Sequence, residues 1–566
     1  MPGDSTLVRP QPIKQRNYDA IIVGSGISGG WAAKELCEKG LTVLLLERGE
    51  NLEHANYPTA TKDPWNFTHR LHLSEKEKHE QFVQSRHWSY REDNKHFYIN
   101  DKENPYEETK RFDWIRGNIV GGRSMLWSRA CYRWSDLDFE ANAKDSIAID
   151  WPIRYKEIAP WYDYVESFIG VSGTAENIPH LPDGIFQPPF EMNIVEKSFK
   201  QKIESRYSER KVIIGRTANL TQPVKGRGLC MARDLCHRGC PYGAYFSTNA
   251  STMPAAYATG KLTVRPNSLV NRIIYDEHKK RATGVEVIDT ITNKLIEFNS
   301  RVLFLNASTV ATTFILLNST SSRFPNGFGN GSDQVGRNLM DHHKGLSASA
   351  TVPGFEEWYF AGRRPTNIYI PRFRNVQSKE KNFLRGYHFG GSAYRSQKDG
   401  NSGIGISLKE ELSEPGAWQM GLYAFGECLP YEDNRITLNH DKRDKWGRPL
   451  LAINCEFKEN ERSMNRDMGD VSHELLEAAG FSDITVRNSI SFPGNSNHEM
   501  GTARMGKDPK TSVVNNFNQM HEIPNVFITD GSCMTSGSCV NPSLTYMALT
   551  ARACDYAVKE MNRLNF

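Results

Sequence analysis

The amino-acid sequence predicts an α/β protein that opens with a parallel strand–helix–strand unit and has further strands late in the chain. The apolar run Tyr18–Val23 indicates a buried strand, and a glycine-rich turn, a helical stretch and a second apolar run that ends at Glu47 follow it. Much later, residues 416–430 and 434–442 read as strands with turn residues between them. The first unit is Rossmann-like, and each of its parts has a physical purpose.

The glycines of the turn have the spacing Gly24-x-Gly26-x-x-Gly29. Gly24 allows the tight turn, Gly26 lets the backbone approach a pyrophosphate, and Gly29 lets helix and strand pack closely. The N-terminus of the helix offers free N–H groups to the phosphates. Glu47 stands where an acid accepts hydrogen bonds from the ribose hydroxyls. The unit therefore predicts an adenine dinucleotide without a 2′-phosphate.

One dinucleotide site, with no second fingerprint of this quality, favours FAD over NAD. The glycine-rich segment near Gly327 follows no predicted strand. A flavoenzyme reduced by NAD(P)H would usually need two such folds, and a thiol–disulfide flavoenzyme would carry a cysteine pair after the first fingerprint, where Cys37 stands alone. We therefore expect one bound FAD whose electrons come from another substrate.

Composition and charge bear on three further properties: nucleic-acid binding, membrane insertion and export. The 566 residues include 70 basic and 66 acidic side chains, a net charge of +4, with no basic block that would indicate nucleic-acid binding. No apolar run approaches the roughly 20 residues of a transmembrane helix, and the first residues contain no apolar signal segment. These features predict a cytoplasmic chain unless another protein carries it out of the cell.

Three cysteines crowd into eleven residues, with the spacing Cys230-x5-Cys236-x3-Cys240. In a reducing compartment such a group is more often a metal or redox site than a disulfide. The alternatives are a disulfide with one spare thiol, inert buried thiols, and a zinc site, for which His237 lies too near Cys236 to be a comfortable fourth ligand.

Motifs along the whole chain resemble those of the glucose-methanol-choline (GMC) oxidoreductases. They are "RGNIVGGRSMLWSRA" from residue 116, "VGRNLMDHH" from 335, "NHEMGTARMG" from 497, "NVFITDGSCM" from 525 and "NPSLTYMALTARACDYA" from 541. The resemblance implies an FAD-binding domain built from residues 1–55, 111–135, 212–352 and 494–566. It also implies a substrate domain, built largely on an antiparallel sheet, from residues 136–211 and 353–493. Residues 56–110 are expected to form a surface insertion with little core.

The same resemblance implies the site residues. His498 matches the catalytic histidine, a base whose ordinary pKa lies near neutrality, and Asn541 matches its partner, an amide that orients the substrate oxygen. His342 and His343 are interpreted as structural or flavin-domain residues, since adjacent side chains do not both face one site. The residues expected at the cofactor are Gly24, Gly26, Gly29, Glu47, Arg48, Arg116, Gly121, Gly122, Met125, Leu126, Trp127, Val270, Asp530, Gly531, Asn541, Pro542 and Thr545.

Two departures from the family pattern matter. Leu126 stands where one branch of the family has a histidine that links covalently to the flavin, so FAD is expected to be bound without a covalent link. The strand end that reads "AGA" in relatives reads "NAS" at 306–308, which leaves the contacts there open.

The cysteine spacing is similar to that of catalytic subunits of bacterial FAD-dependent glucose and glucoside 3-dehydrogenases, in which three thiolates hold a 3Fe–4S cluster. This implies that Cys230, Cys236 and Cys240 hold such a cluster, that the substrate is a sugar or glycoside oxidised at a secondary hydroxyl, and that a small partner subunit and a cytochrome c take part. The small subunit would carry the chain to the periplasm. The alternatives are a GMC oxidase that uses oxygen, with structural cysteines, and a flavin-bearing electron-transfer subunit without catalysis, which would not need His498 and Asn541.

Overall fold

Two large β-sheets organise the chain in a computed structural model that describes residues 13–358, 364–397 and 404–565. In chain order, the strands in these ranges are β1 (Ile13–Val23), β2 (Val43–Leu46), β3 (Glu107–Glu108), β4 (Val171–Ser172), β5 (Phe186–Gln187), β6 (Ile213–Ile214), β7 (Leu262–Arg265), β8 (Ser268–Asp276), β9 (Arg281–Asp289), β10 (Leu295–Leu305), β11 (Leu346–Val352), β12 (Ile368–Ile370), β13 (Tyr387–Gln397), β14 (Pro415–Gly426), β15 (Arg435–Arg443), β16 (Pro449–Asn454), β17 (Ser482–Asn488) and β18 (Val526–Ile528).

The α-helices of the same ranges cover the faces of these sheets. They are α1 (Ile27–Glu38), α2 (Glu75–Glu80), α3 (Asp136–Phe139), α4 (Ala141–Asp145), α5 (Tyr155–Ile169), α6 (Ile194–Arg206), α7 (Thr252–Ala258), α8 (Thr309–Asn318), α9 (Ile406–Ser413), α10 (Glu459–Ala478) and α11 (Ser543–Asn562). None of them is both long and apolar enough to cross a membrane.

The first sheet has a parallel centre in the order β7-β2-β1-β10. The first half of β10 pairs antiparallel with β9, which leads to β8, and its second half pairs parallel with β18. Because β1, β2, β10 and β18 run in one direction, their carboxyl ends meet at one edge, where Gly24, Glu47 and Asn306 follow β1, β2 and β10. In open α/β sheets, ligands bind at this edge. The predicted strand–helix–strand unit is thus confirmed as β1, α1 and β2.

The second sheet is antiparallel, in the order β17-β11-β14-β13-β12-β6. Along β13, Tyr387 and Phe389 pack into the core that the sheet shares with α6 and α10. His388, between them, points to the other face and lines a large cavity. The strands predicted at 416–430 and 434–442 are confirmed as β14 and β15, although β15 joins a separate three-stranded sheet with β16 and β3.

Two features differ from the sequence-based division into domains. The second sheet includes β6 and β11, which the predicted boundaries place in the FAD-binding part. The segment 56–110, expected to have little core, contributes Tyr57, Val83, Phe97 and Tyr98 to a separate buried hydrophobic cluster. That core was not visible in the sequence because the segment forms short turns of 3-10 helix, which give no long hydrophobic period.

Candidate active site

The glycines of the first turn are shaped by close contacts. Gly24 has a φ of +94°, and a Cβ on it would lie 2.4 Å from the carbonyl oxygen of Asn306. A Cβ on Gly29 would lie 1.8 Å from the carbonyl oxygen of Gly24, so only glycine lets α1 start against the turn. A Cβ on Gly26 would meet nothing within 4 Å, because this residue faces the cavity. These contacts agree with the three roles expected from the spacing.

Glu47 is buried beside this turn. Its Oε2 accepts hydrogen bonds from the backbone N–H of Ser25 at 3.1 Å and from the Ser25 hydroxyl at 2.6 Å, and its Oε1 accepts one from the N–H of Gly49 at 2.9 Å. The carboxylate is therefore held in place, and Oε1 keeps a lone pair for a further donor. An acceptor fixed at this edge suits a ribose hydroxyl.

One cavity of about 1430 Å³ connects the turn with the second sheet. Twelve of the expected cofactor residues line it, namely Gly24, Gly26, Glu47, Arg48, Arg116, Gly122, Leu126, Trp127, Val270, Asp530, Gly531 and Asn541. His498 also lines it, so the expected base and its amide partner share one space with the dinucleotide elements.

The remaining expected cofactor residues, Gly29, Gly121, Met125, Pro542 and Thr545, are outside this lining. A Cβ on Gly121 would lie 1.9 Å from Oδ1 of Asn249, so this glycine permits close packing, as Gly29 does. Met125 and Thr545 are fully buried, and Pro542 is the N-cap of α11. These residues support the cavity wall from behind.

Asp341 organises the loop that carries His498. Its Oδ1 accepts a hydrogen bond from the backbone N–H of His498 at 3.0 Å, and its Oδ2 accepts one from the N–H of Gly494 at 2.7 Å. Burial, together with the nearby Glu499 carboxylate, raises the pKa of Asp341 to about 6. This loop is therefore held in place by hydrogen bonds to a fully buried carboxylate.

His342 is the first functional candidate that the sequence interpretation missed. Its Nδ1 lies 3.0 Å from Nδ1 of His498, and the two rings meet edge to face with centroids 4.8 Å apart. His342, interpreted above as a structural or flavin-domain residue, therefore also contacts the candidate base directly. His343 does face away, with Nε2 3.3 Å from Sδ of Met464. No sequence signal marks the contact, which joins residues 156 positions apart.

Burial keeps His498 neutral. Burial lowers the pKa of His498 well below its usual range, and the neighbouring His342, Lys344 and Arg123 act in the same direction. Lys344 also lines the cavity, and burial lowers its own pKa to about 8. A neutral imidazole has a lone pair available to accept a proton at neutral pH.

Arg123 is a second residue that the motif analysis passed over, although it lies inside the glycine-rich motif from residue 116. Its guanidinium pairs with the buried Glu499 carboxylate at 2.7 Å. Because Glu499 follows His498 directly, this ion pair joins the glycine-rich loop to the loop of the candidate base. The signal was present in the sequence as the arginine of "GGRSM".

A row of rings from the second sheet forms the wall opposite the glycine-rich loop. Tyr132 stacks on Tyr369 at 4.1 Å, Tyr369 lies 4.6 Å from His388, His388 stacks on Phe425 at 5.5 Å, and Phe425 lies 5.9 Å from His498. Such a wall offers flat apolar faces to a ligand with C–H surfaces.

The cysteines lie at the other side of the cavity. Cys230 and Cys236 line it, whereas Cys240 does not, and all three are half-buried free thiols, so no disulfide forms. Within the described ranges, no three His, Cys, Asp or Glu side chains are grouped so that they could hold a metal ion. The side chains thus do not adopt the arrangement that a preformed cluster site would show.

Residues 230–240, here called the cysteine loop, are clamped by the segment 56–110. Oδ2 of the buried Asp93 accepts hydrogen bonds from Nε2 of His237 at 2.7 Å and from Nε of Arg238 at 2.6 Å. A Cβ on Gly239 would lie only 2.5 Å from the nearest ring atom of Tyr57. The hydrogen bonds of His237 and Arg238 to Asp93 therefore hold the cysteine loop against this segment.

Comparison with known proteins gives this site a family. Residues 18–344 and 430–550 match the two parts of the model described as GMC oxidoreductase. The chain is 29% identical over 560 residues to the 2-methyl-1,2-propanediol dehydrogenase of Mycolicibacterium austroafricanum, covering 95% of this chain and 94% of that one. It is 26% identical over 562 residues to the fructose dehydrogenase large subunit of Gluconobacter japonicus, covering 96% and 98%.

A solved structure shows the same fold. A variant of the Aspergillus oryzae formate oxidase, solved to study FAD modification, superposes with a TM-score of 0.60 at 15% identity over 97% of this chain and 99% of the other. At this identity, the likeness concerns the fold alone.

Proposed function

The chain belongs to the GMC oxidoreductase family, and we propose that it is an FAD-dependent dehydrogenase that oxidises a secondary hydroxyl of a sugar or glycoside to a ketone, with C3 as one candidate carbon. The observation that carries this proposal is the shared cavity: His498 and Asn541 line the same space as the dinucleotide elements. A relative that is the large subunit of a fructose dehydrogenase supports a sugar substrate.

The residues present fit FAD. No side chain caps the N-terminus of α1, so its first N–H groups are free to bind phosphate at the cavity side of Gly26. The buried amide oxygen of Asn306 and the buried hydroxyl of Tyr546 find no hydrogen-bond partner within the described residues, and both residues line the cavity. A polar cofactor would supply these missing partners.

The proposed chemistry assigns one role to each residue. Bound FAD would accept the hydride that leaves the substrate carbon. His498 takes the hydroxyl proton, so that the O–H bond breaks as the N–H bond forms. Asn541 holds the same oxygen by hydrogen bonds and cannot itself relay the proton. The aromatic wall covers one side of the site with apolar surface, and the Arg123–Glu499 ion pair keeps the base loop beside the glycine-rich loop.

The pH dependence follows from the buried base. Because the pKa of His498 is well below the usual range of histidine, its ring becomes protonated only at a pH well below that range. We expect the single-turnover rate of flavin reduction to stay flat from about pH 7.5 to about pH 6.5, the window between the pKa of Lys344, about 8, and that of Asp341, about 6. A solvated histidine would already lose half its activity at about pH 6.5. Stopped-flow measurement across this range checks it, and a midpoint near the ordinary histidine pKa would contradict the buried, neutral base.

The flavin should be bound without a covalent link, because Leu126 lines the cavity where a linking histidine would be needed. Acid precipitation should leave a colourless pellet and a yellow supernatant. Yellow colour that stays with the denatured chain would overturn this prediction.

The cysteine loop is proposed as the exit for electrons. Three half-buried thiols, two of them on the cavity that would hold FAD, supply soft ligands suited to a 3Fe–4S cluster, which would carry electrons one at a time towards a cytochrome. A partner subunit that also directs export to the periplasm belongs to this proposal. The second candidate function is an oxidase that passes electrons to oxygen, with the three free thiols as structural residues.

Iron analysis separates the two candidates. Protein purified without oxygen should contain iron and acid-labile sulfide with its flavin, and Cys236→Ser should remove both and slow transfer to a cytochrome while flavin reduction by substrate persists. Met231→Ser, on an exposed side chain of the same loop, should keep both. Wild-type protein with full flavin, no iron and brisk transfer to oxygen would defeat the cluster and establish the oxidase.

A further inference from the structure

We propose that His342 is a positioning residue that fixes which ring nitrogen of His498 carries the hydrogen, so that Nε2 of His498 faces the substrate as the proton acceptor. The inference rests on the proposed role of His498 as base, and it names the atom that performs it. It follows from a short chain of hydrogen bonds that begins at a backbone carbonyl.

The first link is the contact between the two imidazoles. Their Nδ1 atoms are 3.0 Å apart, a hydrogen-bond distance at which one nitrogen donates and the other accepts. Two neutral rings satisfy this contact only when exactly one of the two Nδ1 atoms bears a hydrogen. The question is therefore which ring supplies it.

The second link answers that question. Nε2 of His342 lies 3.2 Å from the carbonyl oxygen of Gly537, and a carbonyl oxygen can only accept, so Nε2 of His342 carries the hydrogen. Burial lowers the pKa of His342 to about 4, so the ring is neutral near pH 7 and bears a single hydrogen. Its Nδ1 is therefore the acceptor.

The donor must then be Nδ1–H of His498, which leaves the lone pair on Nε2. When Nε2 takes the proton of the substrate hydroxyl, the ring becomes an imidazolium. Its Nδ1–H bond to His342 then becomes charge-assisted and stronger. His342 thus orients the neutral base and stabilises the protonated form, without touching the substrate.

The carbonyl that starts this chain lies on the loop that also carries Asn541. Gly537 precedes Asn541 by four residues, and between them the carbonyl oxygen of Cys539 accepts a hydrogen bond from Nδ1–H of His388 at 2.7 Å. One loop therefore sets the tautomer of the base through His342 and places the amide that holds the substrate oxygen.

The direct test is nitrogen NMR of holoenzyme labelled with 15N-histidine, since protonated and unprotonated ring nitrogens differ strongly in chemical shift. His498 is assigned from the signal lost in His498→Gln. We expect a neutral ring with its hydrogen on Nδ1. A ring with its hydrogen on Nε2 would overturn the proposal, whatever the activity.

Variants test the consequence. His342→Leu removes the acceptor and should lower the rate of flavin reduction roughly tenfold to a hundredfold, within the range of general-base effects, with substrate affinity and flavin absorbance unchanged. His342→Asn restores an oxygen acceptor and should recover most of the rate. His343→Leu removes a buried neighbouring imidazole that contacts Met464, and should behave as wild type.

The outcomes separate the inference from the proposed function. A wild-type rate in His342→Leu, or an equal loss in His343→Leu, would overturn the positioning role. If His342→Leu fails to bind FAD, the rate of the His342→Asn variant and the tautomer measured in the wild type still test the positioning role. If no sugar or alcohol reduces the wild-type flavin, the proposed function fails, while the tautomer measurement stays interpretable by itself.

Discussion

His498→Gln should lower the rate at which substrate reduces the flavin by about a hundredfold or more, the range usual for loss of a general base. Glutamine keeps a side chain of similar reach but offers no basic nitrogen, so FAD should stay bound. The rate is best measured in a single turnover without oxygen, where later electron transfer does not contribute. Asn541→Ala should lower the rate less, because it removes the amide that orients the substrate oxygen and leaves the base in place.

His473→Gln serves as the matched control, because this histidine is exposed on α10, away from the cavity. It should react at the wild-type rate. Near-normal flavin reduction in His498→Gln would mean that another residue takes the proton, with His342 and His388 as the first to substitute.

Gly29→Val should weaken FAD binding. A Cβ at this position would lie 1.8 Å from the carbonyl oxygen of Gly24, which no side-chain rotation relieves, so α1 must move away from the turn that holds the phosphates. Overpacking of this kind costs about 1–3 kcal/mol or more, which weakens binding about tenfold to a hundredfold. Titration of apoprotein with FAD, followed by flavin fluorescence, measures the loss.

Gly421→Ala is the control for a new methyl group, because its Cβ would meet only ordinary contacts at 3.8 Å and 3.9 Å. It should bind FAD as the wild type does. Full FAD binding by Gly29→Val would show that the dinucleotide does not lie against this turn.

Features set by neighbours in sequence were predictable. The strand, turn and helix around Gly24 depend on hydrophobic period and glycine spacing within about thirty residues, and the structure reproduces them. The position of Glu47 beside the glycine-rich turn also followed, because β1 and β2 are parallel and end at one edge.

Features set by distant contacts were not predictable. The contact of His342 with His498 depends on how two loops 156 residues apart are brought together, and nothing local distinguishes His342 from His343. The buried core around Tyr57 escaped because its residues come from irregular turns with no period. The cysteines show a further limit, because their spacing predicts which residues could bind a metal but does not predict how their side chains are arranged.

Anaerobic mixing of the flavoprotein with sugars and simple secondary alcohols tests the central claim most directly. The account predicts that a sugar or glycoside bleaches the oxidised flavin in the wild type, and that deuterium on the reacting carbon slows this step. The same mixing with His498→Gln should show a rate at least about a hundredfold lower. Flavin that is fully bound and chemically reducible, yet stays oxidised with every sugar, glycoside and secondary alcohol, would contradict the account.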